Sequence, residues 1–197
     1  MNLGCMVSLT GQKTIFPFYH VVSGVALPHI KHLYYYRDEA EFEHDLDGML
    51  KMFAPISIDQ YLNGESGSRT KKQMVLSFDD GLVECHQFIA PLLKQKGVPA
   101  LFFLNNNFID NRGMFFRYRA SILIEKLLSD DGALTEAAGY LVIPEDQVVK
   151  AILMIRYNQQ PLLDALVTLV DIDYSAYLTH QKVYMSSEQV KDLIGWG

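Results

Sequence analysis

The sequence predicts an α/β fold, on three observations within residues 73–106. Residues 73–78 have the β-branched and aromatic character of a buried strand. A helical segment, 82–97, follows and ends at a glycine, where a glycine commonly closes a helix. Residues 98–106 are apolar without polar alternation, as expected of a parallel strand covered on both faces. Strand, helix and strand within about 30 residues form a βαβ unit, whose crossover is expected to be right-handed.

The segments before this unit are consistent with the same fold. Residues 14–22 are aromatic and β-branched and predict a strand, with Pro17 indicating a strand start or an edge position. Residues 55–64 predict a short strand or a turn. Residues 38–53 predict an amphipathic helix, because apolar side chains recur there at helical spacing. The apolar positions of this helix are Phe42, Leu46, Met49, Leu50 and Phe53.

The pattern changes to successive helices in residues 114–182. The predicted helices begin near Tyr118, Pro144 and Pro161. Because no strand pattern interrupts this stretch, we interpret it as a helical insertion. The insertion follows the first strands and helices of the α/β part, at 1–113, and precedes a further part at 183–197.

The segment 183–197 begins another helix. Ser186 is a good N-cap, and Gln189 three residues later completes the spacing of a capping box. A helix with such a start is expected to lead into a further strand. The sequence stops at Gly197 instead, so we interpret the chain as ending before that strand.

Composition limits the class of protein. The chain has 197 residues, of which 49% are hydrophobic and 20% are charged, as in an ordinary globular protein of one domain or slightly more. The net charge of −6 disfavours nucleic-acid binding, and no apolar run reaches the ~18–20 residues of a membrane span. Two cysteines, Cys5 and Cys85, form no disulfide framework. Without a recognisable secretory signal, they indicate a reducing, cytoplasmic location.

Two adjacent carboxylates, Asp79 and Asp80, directly follow the first strand of the βαβ unit, and Gly81 allows a sharp turn. Functional groups collect at the carboxyl ends of parallel strands. Two crowded carboxylates are tolerable there if a divalent cation neutralises one and the other serves as a base. Taken alone, Asp-Asp-Gly is more typical of a turn and helix cap. The same tripeptide at 130–132 follows a predicted helix, and there we prefer that interpretation.

Several motifs around the acidic pair occur in the order of a known family. A predicted strand ends in a Tyr-His pair, Tyr19 and His20, and Ser-Phe-Asp-Asp-Gly follows at 77–81. A helix ending in Lys-Gly-Val-Pro-Ala leads into the Leu-Phe-Phe strand within 96–103, and Tyr-Met-Ser-Ser-Glu-Gln opens the last helix at 184–197. With these motifs the chain resembles the polysaccharide deacetylase superfamily, which is carbohydrate esterase family four or the NodB-homology domain.

The resemblance implies a distorted barrel of parallel strands with outer helices, and metal-assisted hydrolysis of N- or O-acetyl groups on a glycan. In the family's first motif the first Asp is the general base and the second binds the metal, which implies these roles for Asp79 and Asp80. The implied cofactor is a divalent metal, usually zinc, held by one Asp and two His. His20 is expected to contact the acetylated glycan or, alternatively, to support a loop.

The chain departs from the family at the two metal-binding histidines. They belong to a His-x-x-x-His motif that is expected a few residues beyond Gly197, and the sequence contains no such pair. The histidines of the chain are His20, His29, His32, His44, His86 and His180. We interpret His29 and His32 as surface polar residues of a loop, and His44 and His86 as half-exposed helix residues. The chain therefore carries half of a metal site, and we expect it to be inactive at this length.

Three functions stay open at this point. The first is a fragment of a metal-dependent deacetylase, and the second is a non-catalytic glycan-binding or scaffold domain of the same fold. The residues after Gly197 discriminate between them, since a His-x-x-x-His motif there supports the enzyme. The third, a phosphoryl-transfer domain, fits poorly. A haloacid-dehalogenase-like phosphatase needs Asp-x-Asp, and a response receiver needs an Asp on a later strand, where this chain has asparagines at 105–107.

Overall fold

The structure is a computed structural model that describes residues 11–65, 68 and 71–196. Cys5 and Gly197 therefore lie outside the described residues. The chain folds into two compact units. Unit 1 contains the described residues of Met1–Gly24, Tyr36–Asp110 and Lys182–Gly197, and unit 2 contains Val25–Tyr35 and Asn111–Gln181. The helical segment that the sequence indicates at 114–182 thus forms a unit together with a short earlier segment, which the sequence predicts to be a loop.

Unit 1 is built on two parallel sheets. The described strands are β1 (Thr14–Ile15), β2 (Phe18–Tyr19), β3 (Phe53–Pro55), β4 (Lys72–Met74), β5 (Leu76–Phe78) and β6 (Ala100–Phe102). One sheet has the order β1-β4-β3 and the other β2-β5-β6, and every pairing is parallel. The predicted α/β class is confirmed. Both sheets are open, and no closed barrel is formed by the described strands.

The two strands predicted at 14–22 and 73–78 pair over most of their length. Backbone N–H groups of Gln73, Val75, Ser77 and Asp79 donate in turn to the carbonyl oxygens of Lys13, Ile15, Pro17 and Tyr19, at 2.9–3.1 Å. The first strand divides at Pro17, which has no N–H to donate. It also ends at Tyr19 instead of Val22. The register places Asp79 one step beyond the end of β5, beside the end of β2.

The helices of unit 1 begin and end largely where the sequence predicts. They are α1 (Glu39–Met52), α2 (Ile58–Leu62), a π-helical turn (Cys85–Ile89) that continues into α3 (Ala90–Lys96), and, after unit 2, a last helix (Ser187–Trp196). Gly97 closes α3 with φ 64°. Ser186 and Gln189 form the predicted capping box, with reciprocal hydrogen bonds of 2.9 and 3.2 Å. Residues 55–64, predicted as a short strand or turn, instead contain α2.

The core of unit 1 lies between helices and one face of the second sheet. Tyr19, Phe78 and Phe102 stack across the three strands, with ring centroids 5.9 and 5.3 Å apart. The ring of Phe42 from α1 packs edge-on against Tyr19 at 5.1 Å. Phe42 and Phe78 are fully buried. This aromatic row lies on the helix-covered face of the sheet. Because side chains alternate along a strand, the residues next to Tyr19, Phe78 and Phe102 in the sequence face the other side.

Unit 2 is helical and has its own core. Its helices are α4 (Phe116–Ser129), α5 (Asp131–Leu141), α6 (Glu145–Met154), α7 (Gln160–Leu169) and α8 (Tyr174–His180), and the last helix of unit 1 is accordingly α9. The predicted helices near Tyr118, Pro144 and Pro161 are α4, α6 and α7. Two helices, α5 and α8, were not predicted. No helix of the described residues is long and apolar enough to cross a membrane.

Candidate active site

The acidic pair lies where β5 ends. The backbone N–H of Asp79 donates to the carbonyl oxygen of Tyr19 at 2.9 Å, which extends the parallel ladder by one residue. Because Phe78 faces the core, alternation directs Asp79 to the opposite, open face of the sheet. The side chain of Asp79 is 36% exposed. Solvent therefore reaches this carboxylate at the carboxyl end of a parallel strand.

His20 lies beside Asp79, directly after the neighbouring strand β2. Its Nε2 is 3.9 Å from Asp79 Oδ2, and the histidine side chain is 32% exposed. The separation exceeds hydrogen-bond length, so the contact is electrostatic when the imidazole is protonated. The structure thus brings together two of the three predicted site residues, and their roles stay predictions.

The backbone turns sharply after Asp79. Asp80 and Gly81 both have left-handed backbones, with φ of 71° and 70°. A Cβ atom on Gly81 would lie 3.0 Å from Leu104 Cδ2, so both the backbone and the available space favour glycine here. Left-handed aspartate is uncommon and is held only where its surroundings fix it.

The segment before α9 holds the turn at Asp80 and Gly81 in place. Met185 N–H donates to the Gly81 carbonyl at 3.0 Å, and Val83 N–H donates to the Val183 carbonyl at 3.0 Å. Leu82 and Tyr184 form an isolated antiparallel bridge between these two bonds. The turn that carries Asp80 is therefore braced by a segment about 100 positions later in the chain, and its geometry depends on that tertiary contact.

Glu84 is an acidic residue near the site that the sequence analysis did not single out. Its Oε2 atom is inaccessible to solvent and has no hydrogen-bond partner. Burial raises the pKa of the Glu84 carboxyl to about 7. The signal in the sequence is weak, because Glu84 lies between the apolar residues Val83 and Cys85, and adjacent residues of a helix do not share a face.

The cysteine beside this carboxyl does not act as a nucleophile. Cys85 is fully buried in the core. Burial raises the pKa of its thiol, and the nearby carboxylates of Glu84 and Asp80 raise it further. The reactive form of cysteine is the thiolate. Cys85 therefore stays protonated and packs as a small apolar side chain.

Two other histidines of the chain have structural partners. His29 is only 4% exposed, so its prediction as a surface residue is wrong. It lies inside unit 2 with Nδ1 3.0 Å from the Tyr177 hydroxyl, and burial lowers its pKa to about 4. In the same unit, His32 Nε2 is 2.7 Å from Glu125 Oε2. These contacts explain both residues as part of the packing of Val25–Tyr35.

His86 joins the π-helical turn to α9. Its Nε2 is 3.3 Å from Asp192 Oδ2, and the Gln189 side-chain amide donates to its Nδ1 at 3.3 Å. The imidazole also stacks on Trp196, with ring centroids 5.2 Å apart. The His86 side chain is therefore held by contacts within unit 1.

The donors at the acidic tip do not complete a metal centre. Nowhere in the described part of the chain are three His, Cys, Asp or Glu side chains grouped so that they could hold a metal ion. Zinc sites use three or four protein ligands. Asp79, Asp80 and His20 thus do not form a complete zinc site by themselves.

Comparison with known proteins agrees with the resemblance noted in the sequence. The family model "Polysaccharide deacetylase" matches residues 66–139, which include Asp79 and Asp80, and the predicted resemblance is confirmed. The chain matches no curated protein.

Solved structures that are similar to this chain include two bacterial proteins. The first is IcaB from Ammonifex degensii, 20% identical, with a TM-score of 0.42 over 58% of this chain and 49% of that chain. The second is the Streptococcus pyogenes deacetylase PplD in complex with acetate, 15% identical, with a TM-score of 0.42 over 77% of this chain and 79% of that chain. The match thus spans about half the length of the IcaB chain.

Proposed function

We propose that the protein is a polysaccharide deacetylase, a hydrolase that removes acetyl groups from a glycan. The observation that carries this proposal is the position of Asp79. It lies within the segment that matches the family model, at the open end of a parallel strand, with His20 Nε2 3.9 Å from its carboxylate. Fold class alone would not support a chemistry, because one fold hosts many functions.

Asp79 is suited to act as the general base. Hydrolysis of an acetyl amide or ester requires a group that takes a proton from the attacking water. The Asp79 carboxylate is partly exposed, so a water molecule and an acetyl group can both approach it. In this proposal the water proton moves to the Asp79 carboxylate as the water oxygen bonds to the acetyl carbon, and the same proton passes to the departing sugar nitrogen or oxygen as its bond to the acetyl carbon breaks. The His20 imidazole, on the same side, contacts the glycan or holds the carboxylate in position.

The metal dependence is a separate part of the proposal. Asp80 is the residue that the family resemblance assigns to a divalent metal, most simply zinc. The described residues do not supply the remaining ligands of such a site. The barrel architecture and the cytoplasmic location likewise stay predictions.

Acetate release by the full-length protein tests the function. The substrates are a chitin tetrasaccharide, which carries N-acetyl groups, and acetylated xylan, which carries O-acetyl groups. We expect acetate from one of them, loss of release after chelation, and recovery on addition of Zn²⁺. Asp80→Ala is expected to abolish the recovery, whereas Asp131→Ala, an exposed second Asp of the other Asp-Asp-Gly, is the matched control.

The outcomes separate the proposal from its alternative. Acetate release that persists after chelation and in the Asp80→Ala variant would contradict the metal dependence and the metal-binding role of Asp80. A protein that binds the tetrasaccharide without releasing acetate, with or without Zn²⁺, would instead be a non-catalytic glycan-binding domain.

A further inference from the structure

A series of backbone hydrogen bonds leads from the acidic turn to a third aspartate, Asp110. The Gly81 carbonyl accepts from the Met185 N–H at 3.0 Å, and the Met185 carbonyl accepts from the Asp110 N–H at 3.0 Å. Met185 is fully buried, so solvent does not compete for these two bonds. Met185 therefore connects the turn directly to Asp110, and all three residues belong to unit 1.

The side chain of Asp110 holds the same segment at its other end. Its Oδ1 atom accepts from the Ser187 N–H at 2.7 Å and from the Ser187 hydroxyl at 3.1 Å. Ser187 is the first residue of α9, and an N–H group at that position has no partner inside its own helix. The helix dipole also favours a carboxylate there. Asp110 therefore anchors the start of α9, two residues after Met185.

The conformation of Asp110 explains why an aspartate is suited to both contacts. Its backbone is left-handed, with φ of 64° and ψ of 23°. Aspartate and asparagine adopt this conformation more readily than other residues with a side chain. The position thus requires a residue that tolerates a left-handed backbone and also carries an oxygen for Ser187.

The two residues before Asp110 pack against the partners that it bonds. A Cβ atom on Gly81 would lie 3.5 Å from Ile109 Cδ1, so Ile109 lies close beside the turn. The Phe108 ring stacks on Tyr184 of the segment before α9, with ring centroids 5.2 Å apart. Residues 108–110 therefore contact both the turn and the segment that braces it.

We propose that Asp110 is a positioning residue for the acidic pair. By anchoring the segment before α9, it holds the turn in which Asp80 is left-handed. It acts through Met185 and Gly81, not on the substrate itself. Asp79 directly precedes this turn, and a general base is effective only in the correct geometry. The inference rests on the proposed function, because it assigns a use to that geometry.

The variant Asp110→Gly tests this role in the full-length protein. Glycine keeps the left-handed backbone and removes only the carboxylate, so we expect the protein to fold. On the acetylated oligosaccharide that the wild type hydrolyses, kcat is expected to fall about tenfold with KM nearly unchanged, because catalytic geometry is altered and substrate binding is not.

Two further variants complete the comparison. Asp110→Asn keeps an oxygen for the Ser187 N–H and tolerates the left-handed backbone, so it is expected to retain most of the wild-type kcat. Asp130→Gly removes the carboxylate that caps α5 in unit 2 and is the matched control. It is expected to leave kcat unchanged.

Nuclear magnetic resonance follows the turn without relying on activity. The chemical shifts of Asp80 and Gly81 and the hydrogen-exchange rate of the Met185 amide are expected to change in Asp110→Gly. They are expected to keep their wild-type values in Asp130→Gly. If the wild type releases no acetate, the proposed function fails, and these signals alone decide whether Asp110 holds the turn.

Loss of kcat that is confined to Asp110→Gly and restored in Asp110→Asn, together with changed signals of the turn, would support the proposal. A folded Asp110→Gly protein with wild-type kcat, or with unchanged signals of Asp80 and Gly81, would overturn it. Equal losses of kcat in Asp110→Gly and Asp130→Gly would also overturn it, because a general loss of stability would then explain both.

Discussion

Unit 1 and unit 2 each contain the sequence Asp-Asp-Gly, and the two copies lie in different settings. In unit 1 the tripeptide follows a strand, and its last two residues are left-handed, with φ of 71° and 70°. In unit 2 the tripeptide begins α5, and Asp130 is the N-cap with φ of −144°. Asp130 accepts from the Ala133 N–H at 3.1 Å and from Lys126 Nζ at 2.6 Å. The carboxylate of Asp130 thus caps a helix, whereas the carboxylate of Asp79 faces the open side of a sheet.

Histidine shows the same contrast. His20 is one-third exposed beside Asp79, and His29 is buried in unit 2 with its Nδ1 at the Tyr177 hydroxyl. The same residue type therefore serves packing at His29 and is partly exposed beside Asp79 at His20. The neighbouring element decides between the two uses. A residue that follows a parallel strand lies at the edge of the sheet, whereas a residue that precedes a helix caps the helix N-terminus.

The largest stability effects are expected from two buried titratable groups with opposite pH dependence, and the first is Glu84 in unit 1. Its pKa is raised from 4.5 to about 7. Its favourable contribution is complete below pH 4.5 and is lost as the pH rises through 7, a change of about 3 kcal/mol. Glu84→Gln is expected to remove this dependence and to stabilise the protein above pH 7. Urea unfolding followed by Trp196 fluorescence measures it in unit 1, which contains the chain's single tryptophan.

Parallel pH profiles for wild type and Glu84→Gln would contradict this prediction. They would mean that the Glu84 carboxyl is ionised at no cost in the folded protein, through a partner or solvent contact.

The second group is His29 in unit 2, where the sign is reversed. Its pKa is lowered from 6.5 to about 4. Because the unfolded chain binds the proton more readily, stability is complete above pH 6.5 and falls by about 3 kcal/mol as the pH drops through 4. His29→Gln is expected to flatten this dependence. Amide hydrogen exchange of the unit 2 helices between pH 4 and pH 7, corrected for intrinsic exchange rates, measures it.

Tyr177→Phe provides the control for His29. It removes the hydroxyl at Nδ1 but leaves the buried imidazole, so the acid-induced loss of stability is expected to persist. A His29→Gln protein that loses stability in acid as wild type does would show that another group is responsible.

The glycines that end the two Asp-Asp-Gly sequences, Gly81 in unit 1 and Gly132 in unit 2, allow the same substitution to be compared. Gly81→Ala places a Cβ on a left-handed backbone and 3.0 Å from Leu104, so we expect it to destabilise the protein by about 1–3 kcal/mol. Gly132→Ala lies in the first turn of α5, where the added Cβ meets only Asp130 Oδ1 at 3.3 Å. We expect a change of less than about 1 kcal/mol, because the higher helix propensity of alanine is opposed by displacement of this capping oxygen. Denaturant midpoints measure both variants, and equal losses in the two would contradict the contrast.

The smallest effect is expected at the helix cap. The Lys126 hydrogen bond and the Ala133 N–H lower the pKa of Asp130. Its contribution is therefore present above the unfolded value of 3.8 and is lost as the pH falls through the lower folded pKa. Asp130→Ala is expected to lower the melting temperature slightly at neutral pH, and Asp130→Asn, which keeps a capping oxygen, is expected to lower it less. The difference between wild type and Asp130→Ala is expected to shrink in strong acid, where the charge is lost and a capping oxygen remains. A difference that does not shrink there would contradict this assignment.

The sequence was sufficient for the elements whose signals are local. The strands around 73–78 and 98–106 were predicted from apolar runs, and the helix ends at Gly97 and Ser186 from capping chemistry. Helix α5 was missed because its buried face consists of Ala133, Ala137 and Ala138, which give a weak apolar periodicity. Helix α8 was missed because none of its seven residues is fully buried, so it has no apolar stripe.

Features that depend on distant partners were beyond sequence reasoning. The burial of His29 depends on Tyr177, which is 148 positions away in the chain. At the candidate site, Asp79 and His20 could be predicted to meet, because neighbouring parallel strands end at one edge of a sheet. The left-handed backbone of Asp80 could not be predicted, because its turn is held by backbone hydrogen bonds to the segment before α9.

The acetate-release rates of Asp79→Asn and Asp130→Asn, measured on the same acetylated oligosaccharide, test the central claim most directly. Both variants replace the first Asp of an Asp-Asp-Gly by its amide. We expect Asp79→Asn to lower the rate by about 10²–10⁴-fold without loss of folding, because a general base is removed, and Asp130→Asn to leave it unchanged. Near wild-type release by a folded Asp79→Asn protein, or equal losses in both variants, would contradict the account.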